Sequence, residues 1–591
     1  MRGGKKPLCW VGVVAILLVT ILLSGAEAQY LSDQINDADA TRLRFNPSPR
    51  LAGMGLLGIT VEDENNEINL FDYIGSPVGL LDDRDTTSVD FQYDFARNKT
   101  DWTGVDPWAY SPAGPMWPNF LDFDGADLQN RYRYQRFNAL AAYRMRGNFS
   151  IGARVDYTRS NYATDVTKFG VTYITAVGEE DEAEPDTMFV GEASRDSVSD
   201  VKQWVFDILV DKEVNQNLNV GGHAIFTFET LAPEIFHSPD SLTIEITRPV
   251  IVDTTAVPNA ATRLREIPKP SGDAQGAGGG LAFSYRLGDY VTLGASGDIF
   301  ATDEKLELVA PFFRQEIRRD TFLKTGNVHS LFKLGQVLEG AIKHQSKNMS
   351  GDGKYFWSYG CPIQGGDFDA ITVQGLTADR DGWEERTGTR WLIRVPETSI
   401  RIGMEYESAR GEYKVTPDSA YSGGVFVVPG ECGSGELAPI FPRYAVLVDD
   451  VPVEIDFEER TFNVGAALTL WFGRRAVTVG SEYSNWQQDT FAATGAYGQR
   501  DLALIKFGAE ADVTNRVTVR AGHVWGEERR DPTGEVWDES TLTLGGSYVL
   551  VPGMRHIEVA YMHRTREPDF EDAFNRKTVD HRLTAYTRVF F

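Results

Sequence analysis

Apolar and polar residues alternate at period two over segments of ten to fourteen residues along much of this chain, the pattern of strands whose two faces meet different surroundings. In the clearest run, Phe462, Val464, Ala466, Leu468, Leu470 and Phe472 alternate with Asn463, Gly465, Ala467 and Thr469. Ile400, Ile402, Met404 and Tyr406 alternate with Arg401, Gly403, Glu405 and Glu407, and Leu542, Leu544 and Tyr548 with Thr541, Thr543, Gly545 and Ser547. The final run sets Leu583, Ala585, Val589 and Phe591 against Arg582, Thr584, Tyr586 and Arg588. Beyond the amino terminus, helical periodicity of comparable length is not evident.

The connections alternate as well. Tight joins rich in Gly, Asn, Asp or Pro occur near Arg146-Gly147-Asn148, Val214-Asn215-Gln216, Leu287-Gly288-Asp289, Leu334-Gly335, Pro396-Glu397, Gly473-Arg474, Thr514-Asn515 and Pro552-Gly553, the chemistry of hairpin turns. Longer polar segments separate them, near 97–133, 161–200, 231–275, 303–324, 348–386, 410–459, 487–498, 527–537 and 566–577. Eight hairpins plus an opening strand near Thr86–Arg97 and a closing strand Thr578–Phe591 predict an all-β, transmembrane antiparallel barrel of about eighteen strands, with fourteen or sixteen left open by weak patterning near Asn327 and Val337. A soluble two-sheet sandwich would also alternate. Strands long enough for a tilted span, and short turns at one end with long loops at the other, favour the barrel.

In a barrel the apolar faces meet lipid and the other faces line the lumen. That places Arg390, Arg394, Arg401, Glu405, Glu482, Lys506, Glu510, Arg520, Glu558, Arg582 and Arg588 inside, where charges meet water or one another rather than hydrocarbon. The 591 residues carry 85 acidic against 58 basic side chains, a net charge of −27, which argues against a nucleic-acid partner. Acidic loops at 161–200 and 410–459 suit divalent cations bridging lipopolysaccharide, although solvation alone accounts for them.

Arg2, Lys5 and Lys6 precede an apolar run from Leu8 to Leu23, and Ala26-x-Ala28 follows. Residues 1–28 are therefore expected to be a cleaved secretory signal, with an uncleaved anchor helix as the alternative. No later stretch has about 18 consecutive apolar residues. The terminal Phe591, preceded by alternating apolar residues, resembles the recognition signal of bacterial outer-membrane barrels, which implies a barrel-assembly machinery as partner and the outer membrane, with its lipid and lipopolysaccharide, as location.

Residues 29–85 do not alternate cleanly, and the barrel is expected to occupy 86–591. The segment contains Arg50-Leu51-Ala52-Gly53-Met54-Gly55-Leu56-Leu57-Gly58-Ile59-Thr60-Val61-Glu62-Asp63-Glu64 and then Gly75-Ser76-Pro77-Val78-Gly79-Leu80. It resembles the start of barrels of the FadL and PorV superfamily, in which a GMG-containing stretch, a short acidic segment and an Asn-Pro-Ala-Gly-Leu element precede the first strand. The second element departs from that pattern at Asn and Ala. In the FadL branch, the resemblance implies an inward-folded hatch and a passive channel for hydrophobic, fatty-acid-like molecules.

Size points the same way, since an empty barrel of eighteen strands would enclose an aqueous channel that some 57 residues could occlude. Gly53, Gly55 and Gly58, with Pro77 and Gly79 of the second element, form the hatch motif, the first three letting backbone pass close to the wall. Leu56, Leu57, Ile59, Leu70, Phe71 and Ile74 offer an apolar surface to a greasy ligand or pack the hatch itself. Asp63, Glu64 and Glu67 are oxygen donors of the kind calcium prefers, without an EF-hand's spacing, and a solvated charged turn accounts for them too. Cys361 and Cys432, on successive long loops in an oxidising compartment, are either a disulfide or two free thiols. No nucleophile accompanies His556, His581, Glu558 and Asp580, and no His-x-x-x-His spacing occurs, so neither an enzyme nor a cofactor is expected. Two rival functions remain: a PorV-like scaffold or shuttle in protein secretion, which would bring a secretion partner, and a general porin.

Overall fold

A computed structural model describes residues 49–60, 87–105, 121–145, 148–175, 186–187, 195–237, 269–310, 313–362, 368–396, 398–417, 453–492, 497–531, 534–551, 555–568 and 577–590. Eighteen long strands form the wall. They are β1 Ser88–Val105, β2 Leu121–Met145, β3 Phe149–Thr175, β4 Arg195–Asn215, β5 Leu218–His237 and β6 Lys269–Leu287, then β7 Val291–Ala310, β8 Phe313–Leu334, β9 Leu338–Pro362, β10 Phe368–Arg394, β11 Ile400–Pro417 and β12 Val453–Phe472. The last six are β13 Arg475–Ala492, β14 Tyr497–Asp512, β15 Val517–Asp531, β16 Glu535–Val551, β17 Arg555–Pro568 and β18 Lys577–Phe590. Each pairs antiparallel with its neighbours in chain order, and β18 pairs with β1 from Ser88↔Phe590 to Asp101↔Lys577, which closes the sheet. A two-residue bridge, Asp186–Thr187, lies against the end of β3 outside this wall.

Closure removes every edge and satisfies the backbone, which is what a sheet in hydrocarbon requires. The expected outer face is exposed and apolar: Phe462 and Leu470, Ile402 and Met404, Leu542 and Leu544, Ile505 and Phe507 all point away from the lumen. On β12 this band runs from Phe462 to Phe472, about 25 Å along the axis for a 3.3 Å rise and a tilt near 40°, the height of an outer-membrane apolar belt. The eleven charged residues expected inside occupy the opposite face. Strand boundaries fall on all eight tight joins, and Asn148, Gly288, Gly335 and Gly473 take positive φ there.

The long loops need correction. Segments 303–324 and 348–386 are largely strand, as are the flanks of 97–133 and 161–200, so β3 and β10 reach 27 residues each. Such a strand rises roughly 65 Å at that tilt, far beyond the apolar belt. Above the membrane both faces meet water, the contrast between alternate residues fades, and the strand reads as a polar loop.

Candidate functional site

The described part of the amino-terminal segment lies on the inner wall. Its one helix, α1 Pro49–Gly53, ends as Met54 donates its amide to Arg50 O at 3.1 Å and Leu56 donates to Leu51 O at 2.8 Å. Gly55 (φ 69°) and Leu56 (φ 61°) both adopt the left-handed conformation that turns the chain out of this short helix. Leu56 has no glycine's freedom, so its φ costs of order 1 kcal/mol and persists because the contacts on either side fix it. Leu51, Met54 and Leu57 pack together, and Met54 and Leu57 are fully buried.

A track of glycines seats this segment. Gly480, Gly508 and Gly522 are direct cross-strand partners on β13, β14 and β15, and all three face inward. A Cβ on Gly508 would stand 2.1 Å from Met54 O, one on Gly522 2.2 Å from Gly55 N, and one on Gly480 3.0 Å from Leu57 Cδ1. Gly545 on β16 meets Gly53, and Gly403 on β11 meets Ile59. Gly53 and Gly55 approach the wall closely, Gly53 against Gly545 and Gly55 against Phe507 O and Gly522. Among the described residues, no atom lies within 4 Å of where a Cβ on Gly58 would project.

Two carboxylates hold the segment down. Glu482, almost fully buried, accepts from the amides of Gly58 (2.9 Å), Ile59 (2.8 Å) and Thr60 (2.9 Å) and from Thr60 Oγ1 (2.9 Å). Successive backbone N–H groups converging on one anion form a strong, directional clamp. Arg390 grips the same turn from the other side by donating to Gly58 O. Glu510 takes a bidentate pair from Arg50, at 3.0 Å and 2.7 Å, and a third bond from Arg520 at 2.6 Å; Arg520 reaches on to Glu558 at 3.1 Å. Thr543 both donates to Gly53 O (3.1 Å) and accepts from Gly55 N (2.9 Å). The segment thus spans the wall from β10 to β17, eight of its eighteen strands.

Elsewhere the inner wall is mostly a lattice of ion pairs. Glu528 is buried among Arg500, Arg530 and Arg566, and Arg566 stacks over Trp537 at 4.7 Å. His223 bridges Asp207 and Asp298, reaching across β6 where Gly280 leaves the space. Apolar side chains also face inward, as in Val201, Leu231, Gly272, Leu306 and Ile317, successive cross-strand partners from β4 to β8 near the end of the lumen remote from the tight turns.

Of the sequence-derived site residues, Leu57 and Ile59 are buried against the wall and Leu56 is partly buried. Leu70, Phe71, Ile74, Pro77, Gly79, Asp63, Glu64, Glu67, Cys432 and Phe591 lie outside the described residues, as do residues 1–28. Cys361 is placed by its backbone on β9. The clamp role of Glu482 and Glu510 and the wall glycines were missed. A signal existed in the glycines, which recur at lumen-facing positions of strands whose neighbouring inward positions carry charge.

No family model matches the chain, and no curated protein does. Among solved structures it is similar to the Pseudomonas putida toluene transporter TodX, at 12% identity over 92% of this chain and 98% of that one, with a TM-score of 0.31. A Pseudomonas aeruginosa FadL homologue is similar at 12% identity over 92% and 99%, TM-score 0.30, and the RagAB peptide importer at 7% over 86% and 87%, TM-score 0.35. At TM-scores of this size the overlap carries no functional assignment.

Proposed function

We propose that the chain is an outer-membrane channel for passive uptake of small hydrophobic molecules, closed by its amino-terminal segment, residues 29–85, acting as a hatch. The observation that carries the reading is the seating of residues 49–60: a lumenal segment bound by two wall carboxylates and a glycine track is built to rest in one place and to be released as a unit. A porin has no use for such a clamp. The inward apolar row from Val201 to Ile317 is compatible with a hydrophobic cargo, its side chains packing against one another beside the Arg319–Glu304 pair. Cargo passes when the clamp opens, and no energy source is required beyond its gradient.

The test is uptake of a hydrophobic fluorophore into proteoliposomes holding the full-length protein or its Glu482→Gln and Arg50→Ala variants. Faster entry in both variants, with folded barrels, supports a hatch over a hydrophobic path. Entry no faster than in protein-free liposomes for all three proteins, together with a protein co-purifying from cells, would favour the scaffold reading.

A further inference from the structure

We infer that His563 and His581 form a binding site for a divalent transition-metal ion on the outer surface of the barrel, with the Tyr561 phenol beside them. The two histidines are direct cross-strand partners on β17 and β18, and both point away from the lumen. Their Nδ1 atoms stand 3.4 Å apart, their ring centroids are separated by 4.9 Å, and Tyr561 Oη is 2.7 Å from His581 Nδ1. Two imidazole nitrogens bound to one tetrahedral zinc at about 2.0–2.1 Å must lie about 3.3–3.4 Å apart, so these two are already at ligand spacing. Imidazole suits Zn²⁺, Cu²⁺ and Ni²⁺. Water fills the remaining positions, since among the described residues no group of three or more His, Cys, Asp or Glu converges here.

The register fixes where the site lies. One row lower, Phe95, Leu583, Tyr561 and Leu544 are an apolar tier of the lipid-facing band, which still reaches Leu542 in the histidines' own row; one row higher, Lys99, Val579, Thr565 and Ser540 are mostly polar. The histidines sit between the two, at the outer margin of the membrane and on the last two strands beside the β18–β1 closure. A bound ion would tie β17 to β18 there. Arg97, the partner of His581 on β1, faces outward in the same row and opposes a cation electrostatically.

The test uses full-length protein without an affinity tag, stripped with chelator and titrated in detergent with Zn²⁺ by calorimetry and with Co²⁺ by visible absorption. The inference expects one equivalent per chain with a change in the visible cobalt spectrum on binding, lost in His563→Ala and in His581→Ala alike, retained in His344→Ala and His523→Ala, and tighter in Arg97→Gln. Folding of each variant is checked by its heat-modifiable migration, and His563→Gln and His581→Gln replace any alanine variant that fails it. No stoichiometric binding, or binding that survives loss of either histidine, would overturn it.

Discussion

Replacing Glu482 by glutamine tests the clamp without changing the size of the side chain. The carboxylate receives four hydrogen bonds from three consecutive residues, three on Oε1 and one on Oε2. Bonds to a charged acceptor contribute about 1.5–3 kcal/mol each, neutral ones nearer 1. A glutamine with its oxygen in the Oε1 position keeps the contacts to Ile59 and Thr60 without their charge, and turns its amide N–H against that of Gly58. The combined loss is about 3 kcal/mol of seating free energy, roughly a hundredfold shift toward the released segment at 1.36 kcal/mol per tenfold. Amide hydrogen exchange read by mass spectrometry resolves this, because protection of a locally opening segment scales with its open population. Peptides spanning 49–60 should exchange about a hundredfold faster in Glu482→Gln, while peptides from β12 to β14 keep their protection. Unchanged protection of 49–60 in a folded variant would refute the clamp.

Three further outcomes follow from the same contacts. Gly508→Val and Gly522→Val, whose Cβ atoms would stand 2.1 Å and 2.2 Å from segment backbone, should unseat residues 49–60 more completely than Glu482→Gln while the barrel still folds, as read by the same exchange experiment. Glu528→Gln should lower barrel stability by about 3–5 kcal/mol in denaturant unfolding, because it leaves Arg566 buried among Arg500 and Arg530 without its counter-charge. Ile505→Arg, on the outer face at mid-band, should cost about 2–4 kcal/mol in bilayer refolding but little in the exchange of residues 49–60; equal stability in lipid would contradict the assigned outer face.

The parts of the fold legible in the sequence were those where the two faces of a strand meet different media. Phe462 to Phe472 lies between lipid and lumen, so its alternation, its closing turn at Gly473 and its neighbours could be read directly. Residues 303–310 and 313–324 belong to strands too, but the outer face there carries Asp303 and Asp320 and the inner face Glu304 and Arg319, so polar residues fall on both sides and period two disappears. Alternation thus reports a difference of surroundings, and it ends where the membrane does.

The site was legible only on one side. Arg50 to Thr60 stood out because the segment does not alternate and its GMG stretch resembles the start of FadL and PorV barrels, yet their receptor is scattered over strands from Arg390 to Glu558 and is assembled by register alone. Gly480, Gly508 and Gly522 come together because 28 residues separate the first two and 14 the next pair, intervals fixed by the lengths of β13–β15 and the turn at Thr514 rather than by any local motif. His563 and His581 obey the same rule. A search for metal ligands at helical spacing passes over a pair 18 residues apart, but a hairpin whose strands align Tyr561 with Leu583 must also align those two histidines, one row nearer its tip. In a barrel, the chemistry of a site is written across strands, and cross-strand distance in sequence is set by hairpin length; the informative spacing is therefore the one that register supplies.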